Sequence, residues 1–450
     1  MTIICIGDGG HEAHLAAQTI ANNRKLEYYG VLDVNTVIRN GVYHTSINDI
    51  SPQQLLNIIK KDTEIVKLNN ADNKLLSACK QNSISQYLEQ NTSFCALAWT
   101  SRHYYENGVK VCCFQNDSVE DITTIKTKML AAQPVDSCKY CTLAEQEGRA
   151  SQRIIQTTQV ADFLNIETVN DITSINNPVL YDIAVGNQCN AMCRMCSPGN
   201  SHLIDKEYSK LGISKKLGML SSTSFNVIDI KTVKKVYVTG GEPTIVTDFL
   251  KFLEDCIEQN RTDFYLQINT NASVLSSKFI KLIKNFNNVQ FVVSVDGWKE
   301  TLYYIRYPIT WEKLINNVLK LSQLGDVCFN HTISIYNVGH MYNLIKYFNE
   351  TFAEKTTLIN FVDSPSHMWF GNHPNKIRVL QEVEKCRKLP SYKNDINFCR
   401  NIDHIEHTIK THTLDENLLD KFYKFNNMLD ISRNLKLSDY IPELVKENIV

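Results

Sequence analysis

Gly186-Asn187-Gln188-Cys189-Asn190-Ala191-Met192-Cys193-Arg194-Met195-Cys196-Ser197-Pro198 sets three cysteines in a C-x3-C-x2-C loop that begins where the apolar strand Tyr181 to Val185 ends. Three thiolates so close in sequence can hold three corners of a 4Fe-4S cube, leaving the fourth iron open to a small molecule. A structural zinc knot would need a fourth Cys or His nearby to close its tetrahedron. Ser197, Pro198 and Gly199 follow instead, and His202 is the only candidate in reach.

Downstream, polar clusters stand at the ends of successive apolar strands. Lys235 to Val238 runs into Thr239-Gly240-Gly241-Glu242-Pro243, where two glycines let the backbone approach a ligand and Pro243 fixes the turn. Next come Leu266-Gln267-Ile268-Asn269-Thr270-Asn271, Phe291-Val292-Val293-Ser294-Val295-Asp296-Gly297 and Ile333-Ser334-Ile335-Tyr336-Asn337. Taken one at a time, each is also an ordinary turn or strand terminus. Their order places ligand contacts at the carboxyl ends of strands, as an α/β barrel does. Between them, Phe249, Leu250, Phe252, Leu253 and Cys256 form an apolar stripe at helical spacing, as do Leu275, Phe279, Ile280, Leu282, Ile283 and Phe286, and Trp311, Leu314, Ile315 and Val318. Strands near 181–186, 235–239, 264–269, 290–295, 328–335 and 357–363 then predict six βα units: an α/β fold built on a partial (βα)6 barrel. The stretch from Gly212 to Lys231 reads as an insertion of unknown role.

The cysteine loop with these partners resembles the radical S-adenosylmethionine (radical SAM) family. The resemblance implies that Cys189, Cys193 and Cys196 bind a 4Fe-4S cluster whose open iron chelates SAM. Reductive cleavage of SAM then gives a 5'-deoxyadenosyl radical that abstracts a substrate hydrogen, with the protein supplying orientation and exclusion of side reactions. It further implies that the Gly240-Gly241-Glu242-Pro243 turn contacts the SAM amino group. Asn269, Asn271, Ser294 and Asp296 correspond to ribose and carboxylate contacts, and Asn337 to an adenosine contact. Arg306 stands where the family has an Arg after its Asp-Gly turn; it reaches the SAM carboxylate or is a surface loop residue.

A second cysteine group lies upstream in Phe94-Cys95-Ala96, Gly108-Val109-Lys110-Val111-Cys112-Cys113 and Cys138-Lys139-Tyr140-Cys141. Cys95, Gly108 and Cys113 make a C-x12-G-x4-C pattern followed by C-x2-C, so four thiolates can converge on a cluster or on tetrahedral zinc. This resembles the twitch module, the single-cluster relative of the SPASM domain, through Glu145, Gly148, Ser151 and Arg153, with Glu147 where a SPASM ligand would stand. The resemblance implies one auxiliary 4Fe-4S cluster on Cys95, Cys113, Cys138 and Cys141, with Cys112 as the alternative to Cys113. The module precedes the barrel, as in a subset of twitch proteins whose chains end in patterns like Leu429, Asp430, Arg433 and Pro442, Glu443, Leu444.

The chain has 450 residues, 14 cysteines, 43% hydrophobic content and 47 basic against 48 acidic residues. No net field draws it to nucleic acid or to an anionic membrane. Thr2 to Gly7 is too short for a signal peptide, and no apolar stretch reaches membrane-spanning length, so a reducing cytoplasmic location with free thiols is expected. Four segments are expected: a small α/β domain of unknown role over 1–90, the twitch-like module over 91–155, the barrel over 176–375 and a helical extension over 376–450. In the first, strands near Ile3 to Ile6, Tyr29 to Asp33 and Glu64 to Lys67 alternate with helices at Glu12 to Ile20 and Pro52 to Lys61. Its Gly7-Asp8-Gly9-Gly10 turn lacks a nucleotide-loop pattern. Cys5, Cys79, Cys256, Cys328, Cys386 and Cys399 show no ligand spacing, and His367, Met368, Trp369 and His373 either line a pocket or pack a loop.

The expected activity is hydrogen abstraction from a peptide or small molecule, with the auxiliary cluster carrying an electron in oxidation or bond formation and a flavodoxin or ferredoxin as donor. The alternative is a non-catalytic zinc-binding adaptor with a degenerate barrel.

Overall fold

A computed structural model describes residues 2–6, 31–32, 63–67, 84–106, 108–116, 120–146, 151–221, 225–352, 355, 357–362 and 364–445. The chain divides into two compact units. One comprises residues 1–102 and 110–178, the other residues 103–109 and 179–450.

In the first unit, strands β1 (Thr2–Ile6), β2 (Val31–Leu32) and β3 (Thr63–Lys67) form a parallel sheet in the order β2-β1-β3. The expected strands of the amino-terminal segment thus pair. Its expected helices at 12–20 and 52–61 and the Gly7–Gly10 turn lie outside the described residues. The cysteine-bearing part of the unit is mainly helical, with helices Ile122–Leu130, Lys139–Gln146 and Gln152–Leu164. Phe94, stacked on Trp99 at 5.1 Å, is fully buried with Ile125 and Met129 at its centre.

The second unit is built on one sheet. Strands β4 (Ser101–Tyr105) and β5 (Gly108–Lys110) lie at one edge, followed by β6 (Leu180–Ala184), β7 (Lys235–Thr239), β8 (Tyr265–Thr270), β9 (Asn288–Ser294), β10 (Asp326–Ile333) and β11 (Thr357–Phe361). From β6 to β11 each strand pairs in parallel with the next. Helices intervene at each crossover, giving the expected partial (βα)6 barrel with its helical carboxyl-terminal part.

Alternation along the strands explains why one face takes helices and the other does not. Val236, Val238, Leu266, Ile268, Phe291, Val293 and Phe329 share a buried cluster with Phe249, Phe252 and Leu253 of the helix Thr247–Glu258 and with Phe279 and Ile283 of Ser277–Ile283. Several of the intervening residues, Gln267, Asn269 and Gln290 among them, are polar and half-buried. Gln267 donates to Gln290 at 2.7 Å, and Gln290 donates to Asp326 at 3.0 Å. On the same face His103 pairs with Asp182 at 2.8 Å. A polar face opposite the helices is what a barrel needs to hold a polar ligand inside.

The carboxyl-terminal helices Lys376–Cys386 and Ile396–Thr411 pack on the last strands through Ile333, Val379, Val383, Phe398, Ile402 and Ile405. The helix Glu416–Arg433 sits against Tyr304, Tyr336 and Met368 through Leu419 and Phe422. Among the described residues no helix is long and apolar enough to cross a membrane.

Phe329 tests the helix layer. It is fully buried and stacks on Phe348 with ring centroids 3.8 Å apart. Phe329→Ala should lower unfolding stability by about 3–5 kcal/mol, read from the urea midpoint by circular dichroism.

Candidate metal centres and cofactor site

The cysteine loop leaves β6 and is held by backbone bonds from three directions. Gly241 N donates to Gly186 O and Glu242 N to Gln188 O, each at 2.8 Å, from the turn after β7. Met192 N donates to Tyr307 O at 2.7 Å and Arg194 N to Ile305 O at 2.8 Å, on the far side of the loop. Within the loop's own continuation, Ser201 Oγ also donates to Ala191 O at 2.8 Å. The Gly212 to Lys231 stretch, unreadable in sequence, supplies the third direction. Leu220 N donates to Asn187 Oδ1 at 2.9 Å, and Asn187 Nδ2 donates to Gly218 O at 3.0 Å.

These contacts give the glycines a different purpose from the one their sequence suggested. A Cβ on Gly241 would stand 2.2 Å from Gln188 O, and one on Gly240, at φ +109°, would stand 2.8 Å from Val185 N. The close approach is thus made to the cysteine loop itself. Glu242 is fully buried and accepts from Thr244 Oγ1 and Thr270 Oγ1 at 2.7 Å and from Asn271 N at 2.7 Å. Its carboxylate ties the end of β7 to the end of β8.

Burial raises all three loop thiols, and neighbouring thiols raise two of them further. Burial pushes Cys189 up to about 12, with Cys193 adding to it. Burial also raises Cys193, with Arg306 opposing, and raises Cys196, with Cys193 and Cys189 adding to it. Such a set stays protonated at neutral pH until a metal claims it, and Cys189 and Cys193 are buried while Cys196 is only partly covered. His202, the one candidate for a fourth zinc ligand, has its Nδ1 engaged at 3.2 Å by the N–H of Cys189. Among the described residues no group of three or more His, Cys, Asp or Glu converges on a single metal ion. Three thiolates on one loop can each take a different iron of a cube.

Around the thiols, the expected contact residues fall into two groups. Asn271, Asp296 and Asn337 are buried and mostly occupied with protein. Asn271 Nδ2 reaches Asn190 Oδ1 at 3.0 Å and Cys189 Sγ at 3.9 Å. Asp296 accepts from Thr332 N at 2.8 Å. Asn337 Nδ2 donates to Thr332 O at 2.8 Å and Asp296 O at 3.0 Å, and its Oδ1 accepts from Ser334 N at 2.8 Å, so it staples backbone. Asn269 and Ser294, by contrast, are half-buried on the polar face of the sheet, with Ser294 Oγ donating to Asn269 Oδ1 at 3.4 Å. Arg306 is no surface residue. Its side chain is 13% exposed, Nη1 is ion-paired to Asp296, and Nε is buried without a partner. Its charge acts on all three loop thiols.

Sequence reasoning passed over Arg194, which lies between two of the cysteines and is fully buried. Its Nε donates to Tyr304 O at 2.9 Å, Nη1 to Asn426 Oδ1 at 2.8 Å and Nη2 to Asp430 Oδ1 at 2.5 Å. Arg433, on the same helix as Asp430, binds Glu207 through Nε at 2.9 Å and Nη2 at 2.5 Å. Glu443 takes Nδ1 of His340 at 3.1 Å. The Asp-x-x-Arg spacing, which puts both side chains on one helix face, was the available signal.

In the first unit the thiols that influence one another are Cys95, Cys112, Cys138 and Cys141. Cys113 is exposed and Cys112 partly buried, so both remain candidates for the fourth ligand. Burial raises Cys95, and it pushes Cys138 up to about 12 with Cys112 and Cys141 adding to it. For Cys141 burial is opposed by the N–H groups of Arg153 and Gln152 at the start of a helix, a placement that favours thiolate. Arg153 holds Glu145 through Nε at 2.8 Å and Nη2 at 2.7 Å and also donates to the carbonyls of Asn91 and Phe94. Ser151 caps that helix and bonds Glu145. Glu147 and Gly148 lie outside the described residues.

Two glycine variants test the geometry of the loop. Gly241→Ala must displace Gln188 and should lose roughly half of the iron taken up on reconstitution. Gly199→Ala, whose Cβ would meet only Ser197 Oγ at 3.7 Å, should keep it all. Iron per folded chain is the measurement.

The sequence family described as the Radical SAM superfamily matches residues 183–348, from within β6 to the helix after β10. The GTP 3',8-cyclase of Aliarcobacter butzleri (strain RM4018) is 28% identical over 145 residues, covering 32% of this chain and 42% of that protein. That of Campylobacter lari is 26% identical over 137 residues, covering 30% and 39%. The chain thus spans under half the length of these curated relatives. Among solved structures, Streptococcus suis SuiB bound to S-adenosylmethionine is similar over 58% of each chain at 14% identity, with a TM-score of 0.34. With the C-x3-C-x2-C loop at the mouth of its first parallel strand, the 183–348 segment of this chain is a radical SAM superfamily domain.

Proposed function

We propose that the protein is a radical SAM enzyme that binds an open 4Fe-4S cluster at Cys189, Cys193 and Cys196 and an auxiliary 4Fe-4S cluster at Cys95, Cys112, Cys138 and Cys141. It abstracts a hydrogen atom from a peptide or small molecule and passes the resulting electron through the auxiliary site, in oxidation or bond formation. The observation that carries this reading is the gathering of three thiols on one loop, all raised by burial, at the carboxyl end of the first strand of the matched domain.

When bound, the reduced open cluster supplies the electron that splits SAM into methionine and a 5'-deoxyadenosyl radical. This chain's own residues bind and orient. Arg306, with Nε unpartnered and its charge directed at the loop, is suited to a carboxylate. Asn269 and Ser294, half-buried on the polar face, are suited to hydroxyls. Asp296 holds Arg306 in place, and Glu242 and Asn337 keep the strand ends in register. The buried walls of the loop keep water from a reactive species.

A single auxiliary cluster with a complete set of four thiols is suited to electron transfer, since no iron is left for substrate. A flavodoxin or ferredoxin is the proposed donor and the cytoplasm the proposed location.

Anaerobic reconstitution with iron and sulfide should give about eight irons per chain and 5'-deoxyadenosine from SAM under dithionite. Cys193→Ala should abolish that release; a fully active variant, or colourless zinc protein, would overturn the proposal. Cys112→Ser should lose roughly four irons and Cys113→Ser none, which decides the auxiliary ligand.

A further inference from the structure

The helix Glu416–Arg433 ends on a side chain that the fold buries yet leaves incomplete. The Arg433 side chain is 1% exposed, and that of its partner Glu207 is 6% exposed. The carboxylate takes Nε and Nη2 in a fork, which turns Nη1 away from it. Nη1 is buried and has no hydrogen-bond partner. A buried donor left unpaired is costly, so its position calls for a ligand to complete it.

The surroundings say which ligand. The guanidinium lies 5.6 Å from the centre of the Tyr307 ring, and Tyr307 O accepts from Met192 N, the residue before Cys193. One turn earlier on the helix, Leu429 is buried in a cluster that includes Met192 and Cys196. The charge of Arg433 acts on Cys193. The other polar side chains beside it, Tyr208 and Tyr336, are phenols that burial keeps neutral. The anionic group that this side of the helix would meet is thus the sulfur of a cluster bound by the loop.

Resting on the cluster assignment above, we infer that Arg433 donates Nη1–H to a sulfur of the cluster held by Cys189, Cys193 and Cys196 and so sets that cluster's reduction potential. One electron from an external reductant adds one negative charge to the cluster. A buried cation and an N–H directed at sulfur favour the reduced form and raise the potential. Glu207 opposes this by partly neutralising the cation. Arg433 and Glu207 therefore act as a matched pair with opposite signs.

The test uses the full chain, reconstituted anaerobically, with redox titration followed through the electron paramagnetic resonance signal that responds to added SAM. Arg433→Gln at wild-type iron content should shift that couple to lower potential, by at least a tenfold drop in the reduced-to-oxidised ratio at a fixed applied potential. Arg433→Lys should recover part of the shift. Glu207→Gln, which removes the opposing charge and keeps the guanidinium, should move the couple upward. A wetter or loosened site would move both variants in the same direction, and that result, or an unshifted Arg433→Gln couple, overturns the inference. If Arg433→Gln takes up no iron, the direction of the Glu207→Gln shift decides. Wild-type protein that builds no SAM-responsive cluster would refute the functional proposal itself, a result distinct from all of these.

Discussion

A guanidinium without access to water needs its counter-charge in place, and Arg194 is such a group. Removing one partner of a buried pair costs about 3–5 kcal/mol, because the remaining charge is stranded. Arg194 sits between two of the three loop cysteines, so the loop cannot settle until Asp430 and Asn426 arrive from the helix Glu416–Arg433. Tyr304 completes the arrangement: its ring lies 3.6 Å from the guanidinium carbon, and its hydroxyl donates to Asp430 at 2.9 Å. The geometry of the thiols is thus a property of the whole second unit rather than of the loop alone.

The same logic governs the strand ends. Gly240 and Gly241 let one turn press against the loop, Glu242 holds the next strand by the polar residues at its end, and Asn337 joins the fourth and fifth. Polar residues that read as ligand contacts in sequence turn out in several cases to be fastening the framework that offers contacts. Carboxylates and amides suit that task because a single side chain satisfies several buried backbone groups at once.

The barrel was legible because its signals are local. Apolar runs such as Phe291 to Val295 end in polar turns at regular intervals, and each became a strand within a few residues of its expected bounds. The cysteine loop was legible for the same reason. What stayed hidden depends on long separations: Arg194 meets Asp430 236 residues away, and Arg433 meets Glu207 226 residues away. Neither pairing leaves a periodic trace. Cys112 and Cys113 are adjacent, so spacing alone could favour one only by a single position; Cys112 is the less exposed of the two. The insertion after the first barrel helix carried no pattern at all, since its contribution is made through backbone groups of Gly218 and Leu220.

The distance along the chain between Arg194 and its partner also has a temporal meaning. At about 5–20 residues per second of synthesis, Asp430 emerges roughly 10–50 s after the cysteine loop does. Through that interval the loop carries an unneutralised arginine and three thiols with no finished pocket. A loop completed only then would take up metal late in the life of the chain, on a folded protein rather than on a nascent one.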